Sequence, residues 1–122
     1  MHAKPAIVDE NLTVISQEQA KAFGVEGTFF HSTKEAKRYV ELRRLQDIGA
    51  IAGLERQVRF PLYAVGPDGV KVRIGVYSAD FVYTESGARV VEDVKGQRRR
   101  EDLYLWKRRH LEIQERISIR EV

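Results

Sequence analysis

Two short stretches of this 122-residue chain combine strand-like patterning with charge. Tyr77 to Tyr83 (YSADFVY) contains Asp80, and Val90 to Gly96 (VVEDVKG) contains Glu92, Asp93 and Lys95. Side chains alternate along a strand, so Asp93 and Lys95 fall on one face, about 7 Å apart. Glu92 shares the other face with Val90 and Val94. A hairpin turning at Glu85–Gly87 can bring Asp80 alongside Asp93, since neighbouring strands lie about 5 Å apart. Two carboxylates that close repel, and one takes up a proton unless a cation lies between them. Mg²⁺ suits such a place because it accepts one or two carboxylates and completes its shell with water and phosphate oxygens. A lysine fixed nearby stabilises phosphate charge or helps activate a water. Two acids, a lysine and an open coordination sphere describe phosphodiester hydrolysis. The plainer readings are an ion pair of Asp80 with Arg73 or Arg89, and a strand salt bridge between Asp93 and Lys95.

These residues need a sheet to hold them. Glu55 to Val65 alternates through Val58, Phe60 and Leu62, with Pro61 marking an edge or a bulge. The turn signal GPDG at 66–69 leads into a long alternating strand from Val70 to Tyr83, and Glu85–Gly87 turns the chain into the strand from Ala88. These three strands predict an antiparallel meander. A helix from about Glu101 to Glu115 then leads by a crossover to Arg116–Val122, a strand parallel to the third. Before the meander, Ser32 and Glu35 form a capping box that opens a helix. Its stripe of Tyr39, Leu42 and Leu45 is buried, its lysines and arginines face elsewhere, and Gly49 closes it. The fold class is therefore α/β, with the order α-β-β-β-α-β and a mixed central sheet flanked by helices.

Residues 1–31 read as an N-terminal extension to a domain at 32–122. The extension holds a strand around Ile7 or Leu12–Ile15 and a short helix capped by Ser16 and Gln19 and ended by Gly24. Trp106 is expected in the core. His2, His31 and His110 have no metal-ligand spacing, and the absence of cysteine excludes disulfides and thiolate metal sites. No apolar run approaches bilayer length and MHAKPAIVDE lacks a signal-peptide core, which predicts a cytoplasmic protein without membrane contact. The net charge is +3, but between Lys95 and His110 seven basic residues face only Glu101 and Asp102. A basic stretch beside an acidic cluster suits a polyanion brought to a metal, although a solvated helix face explains the charge run alone.

Asp80, twelve intervening residues, then Asp93-Val94-Lys95 resembles the signature of the PD-(D/E)XK nuclease superfamily. The segments VEGTFFHSTKEAKRYVELRRL, YSADFVY and VVEDVKG together resemble small phage-encoded members related in architecture to Holliday junction resolvases. The likeness covers roughly residues 25–122. It implies a restriction-endonuclease-like core and metal ligation by Glu35, Asp80 and Asp93, with Lys95 as the catalytic lysine. It also implies Mg²⁺ as cofactor, with Mn²⁺ substituting, and a phage-encoded protein in the host cytoplasm. Ala79 replaces the proline of the signature, and Glu92 competes with Asp93 for the acidic position. Strand parity favours Asp93 and leaves Glu92 ion-paired or behind the site. Weaker candidates are Gln57, which could reach the metal from the first strand, and Lys107, which with Tyr104 could meet the scissile strand.

Arg98, Arg99, Arg100, Lys107 and Arg108 are the expected phosphate contacts, which position DNA without reading sequence. Almost nothing is left over for a recognition domain, which favours structure selectivity. The expected activity is a metal-dependent endonuclease acting on branched or duplex DNA, foremost a Holliday junction resolvase. Paired cuts imply a homodimer, with residues 1–31 as a possible dimerisation element. The alternatives are a nicking or end-processing nuclease within a larger complex, and a non-catalytic DNA-binding module of the same fold.

Overall fold

The computed structural model describes residues 4–95 and 102–122. Among these described residues two sheets and three helices form a mixed α/β structure. The first sheet is built from β1 (Ala6–Val8), β2 (Val14–Ser16) and β3 (Thr28–Phe30) in the order β2-β1-β3, all antiparallel. Between β2 and β3 runs α1 (Gln17–Phe23), whose Ser16 hydroxyl accepts the Gln19 N–H at 3.2 Å. Gly24 ends the helix with φ 66, as the sequence predicts. The short strand β3 is an addition to that prediction. Gly27 lets it lie close to β1, because a Cβ there would meet the Val8 carbonyl oxygen at 2.2 Å.

Next comes α2 (Thr33–Asp47), capped by Ser32, followed by β4 (Ala52–Val65), β5 (Lys71–Glu85) and β6 (Ala88–Asp93). After them stand α3 (Asp102–Glu115) and β7 (Arg120–Glu121). The second sheet has the order β4-β5-β6-β7, antiparallel until β7, which runs parallel to β6. The ladder continues beyond the strand ends, since Val122 N–H donates to the Asp93 carbonyl and Lys95 N–H to the Val122 carbonyl. The β5–β6 hairpin turns through Ser86 and Gly87, with φ 50 and 78, the left-handed pair that matches strand twist.

Pro61 lies on β4, an edge strand, where its missing N–H is tolerated. The register shifts between Leu62 and Tyr63. Gln114 of α3 repairs the shift, donating to the Pro61 carbonyl at 2.9 Å and accepting the Tyr63 N–H at 2.8 Å. Further along the same edge, Gln46 of α2 accepts the Leu54 N–H at 2.8 Å. Helical glutamines thus occupy backbone groups that an open edge would offer to another strand.

Two apolar clusters flank the second sheet. One joins Ala6, Val8 and Phe30 to Ala36, Leu42, Ile51, Phe81 and Tyr83, with Tyr39, Leu45 and Val90 packed against it. The N-terminal strands therefore share a core with the helix and sheet that follow. The other cluster contains Phe60, Leu62, Tyr77, Ala79, Val82, Val91, Leu111 and Ile119.

Trp106 belongs to neither, and the expectation that it is core is corrected: it is 77% exposed, near Leu103 and Ile113 on the outside of α3. Its helix carries apolar residues on several sides, and Tyr104 and Leu111 take the inward positions. Among the described residues no helix is long and apolar enough to cross a membrane.

The sheet changes its pleat at one place. Tyr77 and Ala79 pack in the α3 cluster, yet Phe81 and Tyr83, at the same strand parity, pack in the α2 cluster. On β4 Val58 and Phe60 lie on the α3 side, whereas the Arg56 guanidinium lies over the Phe30 ring at 3.9 Å. Arg56 pairs with Phe81 and Val58 with Ala79, so Gln57 stands opposite Asp80 at the point of inversion. Gln57 has φ 49, a left-handed backbone that turns the following side chains to the other side of the sheet.

Candidate active site

The inversion brings the predicted acids together. Phe81 pairs with Glu92, which sets Asp80 opposite Asp93 on the adjoining strand. Asp93 Oδ1 accepts the Asp80 N–H at 3.0 Å, and Asp80 Oδ2 accepts the Val94 N–H at 2.9 Å. Each carboxylate is thus oriented by the backbone of the other's strand.

Glu35 arrives from the first turn of α2. Only its backbone takes part in the cap, the N–H donating to Ser32 Oγ at 3.1 Å. The carboxylate turns away from the cap toward the sheet, where Gln57 Nε2 donates to Glu35 Oε1 at 2.9 Å and to Asp80 Oδ1 at 3.4 Å. One amide therefore bridges two acids. Glu35 is 8% exposed, and burial followed by the Asp80 charge pushes its carboxyl above the ordinary carboxylate range, with the Gln57 bond opposing. A glutamine with left-handed backbone in a strand costs about 1–2 kcal/mol, and such strain persists where the surroundings demand it.

Tyr104 of α3 completes the group, its hydroxyl donating to Asp93 Oδ2 at 3.2 Å while its ring tilts against Tyr77 at 6.2 Å. Burial and then the Asp93 charge push the Tyr104 phenol up to about 12. Among the described residues no group of three or more His, Asp or Glu side chains is placed to hold a metal ion. What converges is a pair of acids, a third acid one amide away, and a phenol.

A family model described as "Protein of unknown function (DUF1064)" matches residues 15–119. The chain belongs to that family. The matched span contains every candidate residue from Glu35 to Arg108, and it includes α1, β3 and the last two residues of β2. No curated protein and no solved structure matches the chain.

The remaining candidates of this family member separate by position. Glu92 is fully buried and points away from Asp80 and Asp93, toward Arg38 of α2. Lys95 is exposed just past the end of β6, and its carbonyl accepts the Lys34 ammonium of α2. Lys107 is half-buried, its Cε 4.0 Å from the position of a Cβ at Gly75. Arg108 turns into the protein, bonding Glu121 and the Ile119 carbonyl and so tying α3 to the last strand. Arg98, Arg99 and Arg100 lie outside the described residues. Arg89, a sequence alternative for pairing Asp80, lies over the Phe60 ring at 5.0 Å. His110 Nε2 lies 2.6 Å from the Tyr63 carbonyl oxygen.

In the sequence Tyr104 stands out only beside Lys107, and Arg38 does not stand out. An aromatic in a helix gives no sign that its hydroxyl reaches an acid on a strand. Helical spacing does put Arg38 on the same side as Glu35, one turn later, and that was the available signal.

Proposed function

We propose that the chain is a Mg²⁺-dependent endodeoxyribonuclease of the PD-(D/E)XK type, a Holliday junction resolvase by preference. The observation that carries this reading is the reciprocal bonding of Asp80 and Asp93 across adjacent strands, with Glu35 coupled through Gln57. The order α2-β4-β5-β6-α3-β7 supports a restriction-endonuclease-like core.

The donor set fits Mg²⁺, which needs one or two carboxylates and leaves the rest of its shell to water and phosphate. Asp80 and Asp93 would hold it, with Glu35 as the third acid. Bound there, Mg²⁺ supplies a Lewis acid and lowers the pKa of water, and Mn²⁺ serves in its place. The chain's own residues orient and protect. The N–H groups of Asp80 and Val94 fix the two carboxylates, and the Tyr104 hydroxyl holds Asp93 Oδ2. Lys95 stands at the solvent side, where an ammonium meets a phosphate. Arg98, Arg99, Arg100 and Lys107 are the proposed backbone contacts. Exposed Leu103, Trp106 and Ile113 on α3 support contact with a second chain, as paired cuts require. A cytoplasmic, phage-type setting goes with this reading.

Cleavage of a labelled four-way junction and of its matched linear duplex, each with Mg²⁺ and with EDTA, tests it. Paired symmetric cuts in the junction alone support the resolvase. Equal cutting of both DNAs points to a nicking or end-processing enzyme. Tight binding without cutting points to a DNA-binding module.

A further inference from the structure

Glu92 has no exposure, and it accepts three hydrogen bonds from two side chains. Arg38 Nε donates to Oε2 at 2.8 Å and Arg38 Nη2 to Oε1 at 2.8 Å, while the Tyr83 hydroxyl donates to Oε1 at 2.6 Å. Tyr83 in turn accepts from Arg120 Nη1 at 3.1 Å, and Arg120 pairs with Glu85 at 3.3 Å. The remaining Arg38 nitrogen, Nη1, binds Glu41 at 2.9 Å and so fixes the guanidinium plane on its own helix.

A buried ion pair is weak ground for stability, because well-packed apolar residues often hold two elements together as firmly. What a two-pronged Arg–carboxylate pair adds is direction, since two nitrogens must meet two oxygens in one plane. Here that direction is imposed where both elements carry acids of the site. Arg38 lies three residues after Glu35 on α2, and Glu92 immediately precedes Asp93 on β6. The Lys34 ammonium on the Lys95 carbonyl adds a second link between the same two segments.

We infer that Arg38 and Glu92 are a positioning pair, which sets the rotation of α2 against β6 and so the placement of the Glu35 carboxylate relative to Asp80 and Asp93. The pair touches neither substrate nor metal, and its effect passes through those three acids. The inference rests on the proposed metal-dependent reading of the site.

The test is calorimetric binding of Mn²⁺ to the full chain without DNA, alongside thermal unfolding and junction cleavage. In the double variant R38M/E92M, unfolding should stay near the wild-type temperature. Mn²⁺ affinity and turnover should each fall by about tenfold or more, the scale of loss from small misplacements in a site. R38K keeps the charge, loses the fork and should show the same loss in smaller degree, which serves if the double variant does not fold. E18Q removes an exposed charge on α1, outside this hydrogen-bond chain, and should leave Mn²⁺ binding unchanged. Folded R38M/E92M or R38K with wild-type Mn²⁺ affinity and turnover would overturn the inference, as would an equal loss in E18Q. A wild-type protein that binds no Mn²⁺ would instead remove the metal reading beneath it. In that case a crystal structure of R38K still tests the pair, which predicts loss of the Glu35–Gln57 hydrogen bond.

Discussion

Asp80 and Asp93 each accept a backbone N–H from the other's strand, Asp80 N–H to Asp93 Oδ1 and Val94 N–H to Asp80 Oδ2. The pair is thus held by the sheet, whose register sets one carboxylate against the other. Changes at these acids and around them should therefore separate chemistry from folding.

Gln57 joins a strained backbone to a bridging amide. Both Q57A and Q57G lose the bonds to Glu35 and Asp80, but only glycine adopts φ 49 without a Cβ penalty. Urea unfolding should find Q57G more stable than Q57A by about 1 kcal/mol. Equal stabilities would mean that the left-handed conformation carries no strain.

Glu35 gives a pH dependence with a definite sign. Its carboxyl is raised in the folded chain by burial and by Asp80, so the folded state binds that proton more tightly than the unfolded state. Its contribution to stability is full below the ordinary glutamate range and is lost as pH rises through the raised value. E35Q should remove this loss, so that unfolding temperatures of wild type and variant diverge with rising pH in favour of E35Q. Parallel curves would contradict the assigned shift.

Tyr104 should be visible by its ultraviolet titration. One tyrosine is expected to ionise only near 12, held up by burial and by Asp93, and that transition should vanish in Y104F. Loss of the bond to Asp93 should cost about 1–2 kcal/mol of stability.

Trp106 tests the assembly. With 77% of its surface exposed, W106E should change the stability of the single chain by no more than about 0.5 kcal/mol. If α3 forms the dimer face, light scattering should find wild type dimeric and W106E monomeric. A dimeric W106E would remove α3 from the interface.

Much of this architecture was legible because local chemistry and tertiary structure agree. Ser16 and Ser32 start helices, Gly24 and the Gly66–Gly69 turn stop elements, and Ser86-Gly87 closes the hairpin that sets Asp80 against Asp93. Strand parity alone sent Glu92 to the face opposite Asp93, where Arg38 meets it. Other features had no local signal. β3 is only three residues long and merges into the cap of α2. The pleat inversion depends on a left-handed glutamine, a residue type that announces no such backbone. The facing of Trp106 was hidden because α3 spreads apolar residues around its circumference, and tertiary contacts choose among them.

In the proposed function Asp80 and Asp93 hold a cation against a phosphate. The most direct measurement is Mg²⁺-dependent cleavage of a four-way junction by wild type, D80N and D93N, with junction binding measured on the same preparations. Wild type should make paired cuts that EDTA abolishes, and each variant should lose about a thousandfold or more in cleavage with binding kept or strengthened. Cleavage by D80N or D93N at the wild-type rate, or cleavage by wild type undiminished in EDTA, would contradict it.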